Sequence, residues 1–152
     1  MGYFKSFILI SYMMNGYKFD FFEVTADIGV RVWGKDIDEL FENAAIAVTS
    51  LMINPNLMKK IIEKKLIVTG NDLPSLLINW LTELLIIRDS EGILFSSFEV
   101  EISKEGKSLN ARVFGDHFIG KNLEMDVKAI TYSLFKLEKI NGDFYSQFVL
   151  DI

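Results

Sequence analysis

A chain of 152 residues, half of them hydrophobic and thirteen of them Phe, fits one domain with a buried core and excludes a disordered polypeptide. It has no cysteine, which excludes disulfides, thiolate zinc sites and a cysteine nucleophile. Its formal net charge of −5, with no block of like charges, argues against independent nucleic-acid binding, because phosphate contacts need Lys and Arg.

Residues 1–17 stand apart, closed off by the turn-forming pair Asn15-Gly16. Their apolar run, Phe7-Ile8-Leu9-Ile10, is far too short to span a bilayer. It also lacks the basic start and small-residue cleavage pattern of a secretory signal. Two readings fit the stretch: an added edge strand over Phe4–Tyr12, or a start codon upstream of the true one near Met13 and Met14. The added strand is the expectation taken forward. The domain proper is expected over residues 18–152, soluble and cytoplasmic, with no repeat or linker.

Phe19-Asp20-Phe21-Phe22 reads as a short strand, and Ile28, Val30 and Val32 alternate with Gly29, Arg31 and Trp33 in the period-two pattern of a second. Asp27 falls at the junction between them. A carboxylate there either bonds nearby turn amides or reaches solvent and a ligand. Gly34-Lys35 turns the chain, and Asp36 with Glu39 three residues on predicts a helix start. Ile37, Leu40, Phe41, Ala44, Val48, Leu51 and Met52 recur at helical spacing as a core face over Asp36–Ile53, and Asn54-Pro55 stops it.

Ile61–Thr69 is expected as a strand whose lysines protect an edge; Lys59, Lys60, Lys64 and Lys65 form the one cationic cluster. Asp72 predicts the cap of a second helix, Leu73–Arg88, whose first turn tolerates Pro74. Leu76, Leu77, Trp80, Leu81, Leu84 and Leu85 give it a wide apolar stripe, with Asn79 and Glu83 off its centre. Asp89-Ser90-Glu91-Gly92 marks the exit. The remainder is β: Phe95–Ile102 and Leu109–Phe114 flank the hairpin signature Lys104-Glu105-Gly106-Lys107. A loop is expected over Gly115–Phe118 and Gly120–Asn122, then a long extended segment, Glu124–Lys139. Asn141-Gly142 turns the chain into a last strand, Phe144–Leu150. Two helices packed on one side of a mostly antiparallel sheet make an α+β, two-layer domain.

His117 is the sole histidine, read as a solvated loop residue; with no cysteine, no hydrolase arrangement assembles around it. No Gly-rich loop precedes a helix in the phosphate-cradling arrangement. At the other end, Asp151 follows the apolar Phe148-Val149-Leu150, and Ile152 carries the terminal carboxylate. Two carboxylates one residue apart suit a hard cation, or form a frayed polar end.

Phe19-Asp20-Phe21-Phe22-Glu23-Val24-Thr25-Ala26-Asp27-Ile28-Gly29 resembles the opening of the archease family, whose members commonly carry His-Thr-Ala-Asp-Ile-Gly. The resemblance continues in order through Trp33-Gly34-Lys35-Asp36, Leu40–Ala45, Asp72-Leu73, Leu77–Leu85, Leu94-Phe95, Val127–Tyr132 and the terminal Leu150-Asp151-Ile152. Val24 stands where the family has His, which removes a polar group but no acidic ligand. The resemblance implies a non-enzymatic activator of an RtcB-type RNA ligase in tRNA splicing, promoting guanylylation of the ligase and its repeated turnover. It also implies a divalent ion (calcium, magnesium or manganese) held by Asp27, Asp151 and the carboxylate of Ile152. Thr25 and Lys128 are expected beside these ligands rather than on the ion, with an exposed strand lysine as the plainer reading of Lys128. The rival reading is a chaperone-like binding module for an RNA-processing or RNA-modifying partner. No membrane and no direct nucleic-acid contact are expected.

Overall fold

The computed structural model describes residues 18–121 and 123–152. The expectation of a strand over Phe4–Tyr12 lies outside the described residues. The chain runs β1 (Phe19–Val24), β2 (Asp27–Gly34), α1 (Ile37–Met52), a 3-10 turn (Pro55–Leu57), β3 (Ile62–Thr69) and α2 (Leu73–Glu91). It continues through β4 (Ile93–Ile102), β5 (Ser108–His117), β6 (Ala129–Ile140) and β7 (Asp143–Asp151). The fold is α+β, as expected. Its antiparallel strands divide into two sheets, ordered β1-β2-β7-β6 and β3-β5-β4.

Both helices start where the capping residues put them. The Asp36 carboxylate accepts from the Glu39 amide at 2.8 Å. Asp72 and Ser75 form a reciprocal box in which each side chain bonds the other's end of the first turn. α2 runs three residues beyond the expected Arg88, because Gly92 takes the left-handed conformation at φ +69° and closes the helix there rather than at Asp89. β5 likewise runs on through Gly115 to His117, where a loop was expected. A Cβ at position 115 would overlap the Leu94 carbonyl, so glycine lets β4 approach and pairing continue to Ile93 opposite His117. The expected extended segment Glu124–Lys139 divides, with residues 124–128 irregular and the strand beginning at Ala129.

α1 packs on β2 of the first sheet and β4 of the second; α2 packs on β3, β4 and β6. The two helices therefore tie both sheets around one core. From Leu40 to Met52 only Glu42 of α1 is not buried, since the helix has neighbours on nearly every side. Trp80 is fully buried at the centre, edge-on to Phe98, and its indole N–H donates to the Phe41 carbonyl at 3.0 Å.

The two edges of the three-stranded sheet are treated differently. Asp38 and Glu42, one turn apart on α1, accept the Ile102 and Val100 amides of β4 at 3.0 and 2.8 Å. Two helix carboxylates thus stand in for a missing strand. Burial raises the Glu42 carboxyl above its ordinary value, against the Val100 bond, which lowers it. On the far side, β3 is the outermost of the described strands.

Candidate functional site

β1 and β2 form a hairpin closed by the two-residue turn Thr25-Ala26, with Val24 opposite Asp27 as the last pair. Ala26 takes φ +69°, a conformation that costs a non-glycine residue about 1–2 kcal/mol. That bend starts β2 at Asp27.

β2 then pairs with the final strand, and the pairing ends at Ile28 opposite Leu150. One step further along the same antiparallel register, Asp27 lies opposite Asp151. Ile28 and Leu150 are buried at 1% and 0% exposure, so the alternation of a strand sends both aspartates to the outward face of the sheet. Residues facing each other in this way have Cβ atoms about 4.5–5.5 Å apart. On the other flank β6 sets Ala129 opposite Asp151, and the Lys128 amide donates to the Asp151 carbonyl at 2.7 Å. Ile152 packs its side chain against the core and so anchors the chain end beside them.

Across the four strands the outward row reads Val24, Asp27, Asp151, Ala129. Val24, at the family's His position, is the strand neighbour of Asp27. Thr25 and Lys128 are both exposed, Thr25 in the turn and Lys128 at the entry to β6. Among the described residues no hydrogen bond or ion pair joins either side chain to the two aspartates. Among those residues, too, no group of three or more His, Cys, Asp or Glu side chains is gathered for a metal. The donors on the outward face are the side-chain carboxylates of Asp27 and Asp151. An all-oxygen set suits a hard cation and leaves coordination positions for water or a phosphate oxygen.

The next rows furnish the outward face. The Phe22 ring lies over Gly29, where any Cβ would overlap it. The Arg31 guanidinium sits 5.1 Å from the Phe22 ring centre and 2.6 Å from the Asp20 carboxylate. The Trp33 and Tyr145 rings meet at 5.3 Å, tilted by 47°, and the Tyr145 hydroxyl donates to Gln147 at 3.0 Å. His117 is exposed, its backbone amide bonded to its neighbour's Asp116 carboxylate; it shares no site with the aspartates.

Sequence reasoning missed Arg88. It continues the α2 stripe of Leu81, Leu84 and Leu85, the one signal that an arginine there is turned inward. Its side chain is 9% exposed, and Nη1 donates to the Val127 carbonyl at 2.7 Å and contacts Met52 Sδ at 3.2 Å. Nε reaches Asp89 at 2.9 Å. Arg88 thus holds Val127, and Val127 leads directly into the Lys128 amide that pins Asp151.

Fold and site define a class: a small α+β domain of two antiparallel sheets and two helices, with opposed aspartates where the second strand begins and the last one ends. The sequence model of the Archease protein family matches residues 19–152. An archease of Pyrococcus abyssi is 41% identical over 140 residues, covering 89% of this chain and 99% of its own. One from Sulfurisphaera tokodaii is 39% identical, over 89% and 99% of the two chains. The chain belongs to the archease family. Among solved structures, protein 1598 of Methanobacterium thermoautotrophicum superposes with a TM-score of 0.76 at 36% identity, over 88% of this chain and 98% of its own. An archease of Thermotoga maritima, described as a possible chaperone, shares the fold at a TM-score of 0.59 and 22% identity, over 86% and 94% of the two chains. No helix among the described residues is long and apolar enough to cross a membrane.

Proposed function

We propose that this chain is a protein cofactor of an RtcB-type RNA ligase in tRNA splicing, not itself an enzyme, and that it promotes guanylylation and repeated turnover of the ligase. Family membership supports the class of partner. The observation that carries the reading is the β2–β7 register, which opposes Asp27 and Asp151 on one outward face beside the anchored end at Ile152. On this reading those three carboxylates hold a divalent cation (calcium, magnesium or manganese), with Thr25 and Lys128 beside them. The ion would neutralise phosphate charge during nucleotidyl transfer. The protein's own part is to fix the oxygen donors on rigid strands, through the Lys128–Asp151 backbone bond and the Arg88–Val127 bond behind it. Val24 offers no hydrogen bond to Asp27, so ligand orientation rests on the backbone alone.

The test is ligase guanylylation at limiting ligase, with and without this protein. Asp27→Ala and Asp151→Ala are expected to abolish the stimulation while circular dichroism and the unfolding midpoint stay native. Full stimulation by both variants sinks the carboxylate reading. That outcome favours the second reading, a chaperone-like module for an RNA-processing partner, for which Tyr132 and Leu134 are a ready apolar surface, 52% and 54% exposed on β6. Turnover of a phosphoester by the chain alone refutes both.

A further inference from the structure

The edge of β3, unpaired among the described residues, carries a pattern that neither the core nor the carboxylate row explains. β4 on the other side of the same sheet has its amides capped by Asp38 and Glu42; among the described residues no strand lies beyond β3. Three large apolar residues gather around this edge. Ile67, in the strand, is 77% exposed, and Ile61, one residue before it, 68%. Ile86, 51% exposed, lies two turns along α2 from Asn79, whose amide donates to the Thr69 carbonyl at the end of β3. An edge guarded only against aggregation carries lysines and little else. This one interleaves isoleucines with opposite charges.

From this we infer that β3 is a self-association edge, pairing antiparallel with β3 of a second copy of this chain about a two-fold axis at Lys64. The register follows from the residues. With Lys64 on the axis, Glu63 faces Lys65 of the partner subunit, and Lys65 faces Glu63 of the partner subunit. Ile61 and Ile67 face each other in the same way, twice by symmetry. All four belong to the outward face, the one on which Glu63 neighbours Phe114 and Lys65 neighbours Arg112. On the inward face Ile62 meets Leu66 of the partner subunit. The two Lys64 side chains that meet at the axis are each compensated by their own Glu91, at 2.7 Å. Moving the axis to Lys65 would oppose Glu63 with Ile67 and lose both the Glu63–Lys65 and the Ile61–Ile67 pairs. Lys65 makes no ion pair among the described residues, so its charge is available to the second copy. Glu63 keeps Arg112 at 3.2 Å on its own chain and accepts a second cation across the axis. The product is a continuous six-stranded sheet, with main-chain bonds supplying affinity and side-chain pairs supplying register.

Sedimentation equilibrium of the full chain tests this. The expected result is a monomer–dimer equilibrium, rising with concentration from 17.4 kDa to twice that mass. Lys65→Glu sets like charges opposite one another twice, so the dissociation constant should rise at least about tenfold. Glu63→Lys combined with Lys65→Glu restores opposite charges and should recover the affinity to within roughly threefold, which only the proposed register allows. Both variants should keep the fold, since a glutamate at position 65 lies opposite Arg112 and Glu63→Lys gives up only a solvent-exposed pair with Arg112. Ile67→Lys, at a position 77% exposed, is a second variant expected to yield monomer. Hydrogen exchange should show β3 amides gaining protection with concentration. A chain that stays monomeric at every concentration overturns the inference, as does a dimer indifferent to all three variants. Amide shifts in β3 that respond only to an RtcB-type ligase, and never to concentration, also overturn it and assign the edge to that partner.

Discussion

Replacing Arg88 by methionine tests the link between the core and the carboxylate row. Methionine keeps much of the buried aliphatic volume but removes Nη1, which contacts Met52 Sδ and donates to the Val127 carbonyl, fully buried with its residue at 0% exposure. A hydrogen bond from a charged donor contributes about 1.5–3 kcal/mol, and the orphaned carbonyl adds desolvation cost toward the upper end. The Asp89 pair adds little, because that carboxylate is 68% exposed and screened. The loss should therefore be about 2–3 kcal/mol, which lowers Tm by about 5–10 °C for a chain of this size. Urea unfolding gives the magnitude, and hydrogen exchange gives the location: the Lys128 amide, bonded to Asp151, should exchange faster in Arg88→Met than in the parent. Asp89→Asn is the control, expected within about 0.5 kcal/mol of the parent. A loss below that size in Arg88→Met, or unchanged exchange at Lys128, refutes the claim that Arg88 holds the entry to β6.

Glu42→Gln keeps an acceptor for the Val100 amide and removes the buried charge. Because burial raises the Glu42 carboxyl in the folded state, its contribution to stability is full below the unfolded value and is lost as pH rises through the folded one. The parent should therefore lose stability relative to Glu42→Gln across that window; parallel curves of urea midpoint against pH would contradict it. Trp80→Phe removes ring volume and the bond to Phe41, and should cost about 2–4 kcal/mol in urea unfolding; a smaller loss than 1 kcal/mol, roughly the value of the bond alone, would mean the core closes around the gap. Extending the chain past Ile152 should weaken divalent-cation binding measured by calorimetry, and unchanged affinity removes the terminal carboxylate from the donor set.

Local chemistry carried much of this fold. Asp36 and Asp72 cap helices by bonding amides three residues away, so their starts are legible without any partner. Alternation in β2 told which side chains point inward, and the acid in Thr25-Ala26-Asp27 could be picked out with the terminal Asp151 by resemblance. Ends that depend on a neighbour were less legible: α2 ran on to Gly92, and β5 ran on through Gly115 because β4 comes close there. What alternation cannot carry is which strand lies beside which. The division into two sheets and the pairing of the second strand with the last join segments from opposite ends of the domain. They are decided by how both helices cover both sheets at once. Only that packing sets Asp27 opposite Asp151, turns Arg88 inward onto Val127, and uses Asp38 and Glu42 on one edge while β3 stays unpaired on its outer side among the described residues. A residue's type fixes what it can bond; its distant neighbours decide what it does bond, because burial and strand pairing are properties of the whole chain.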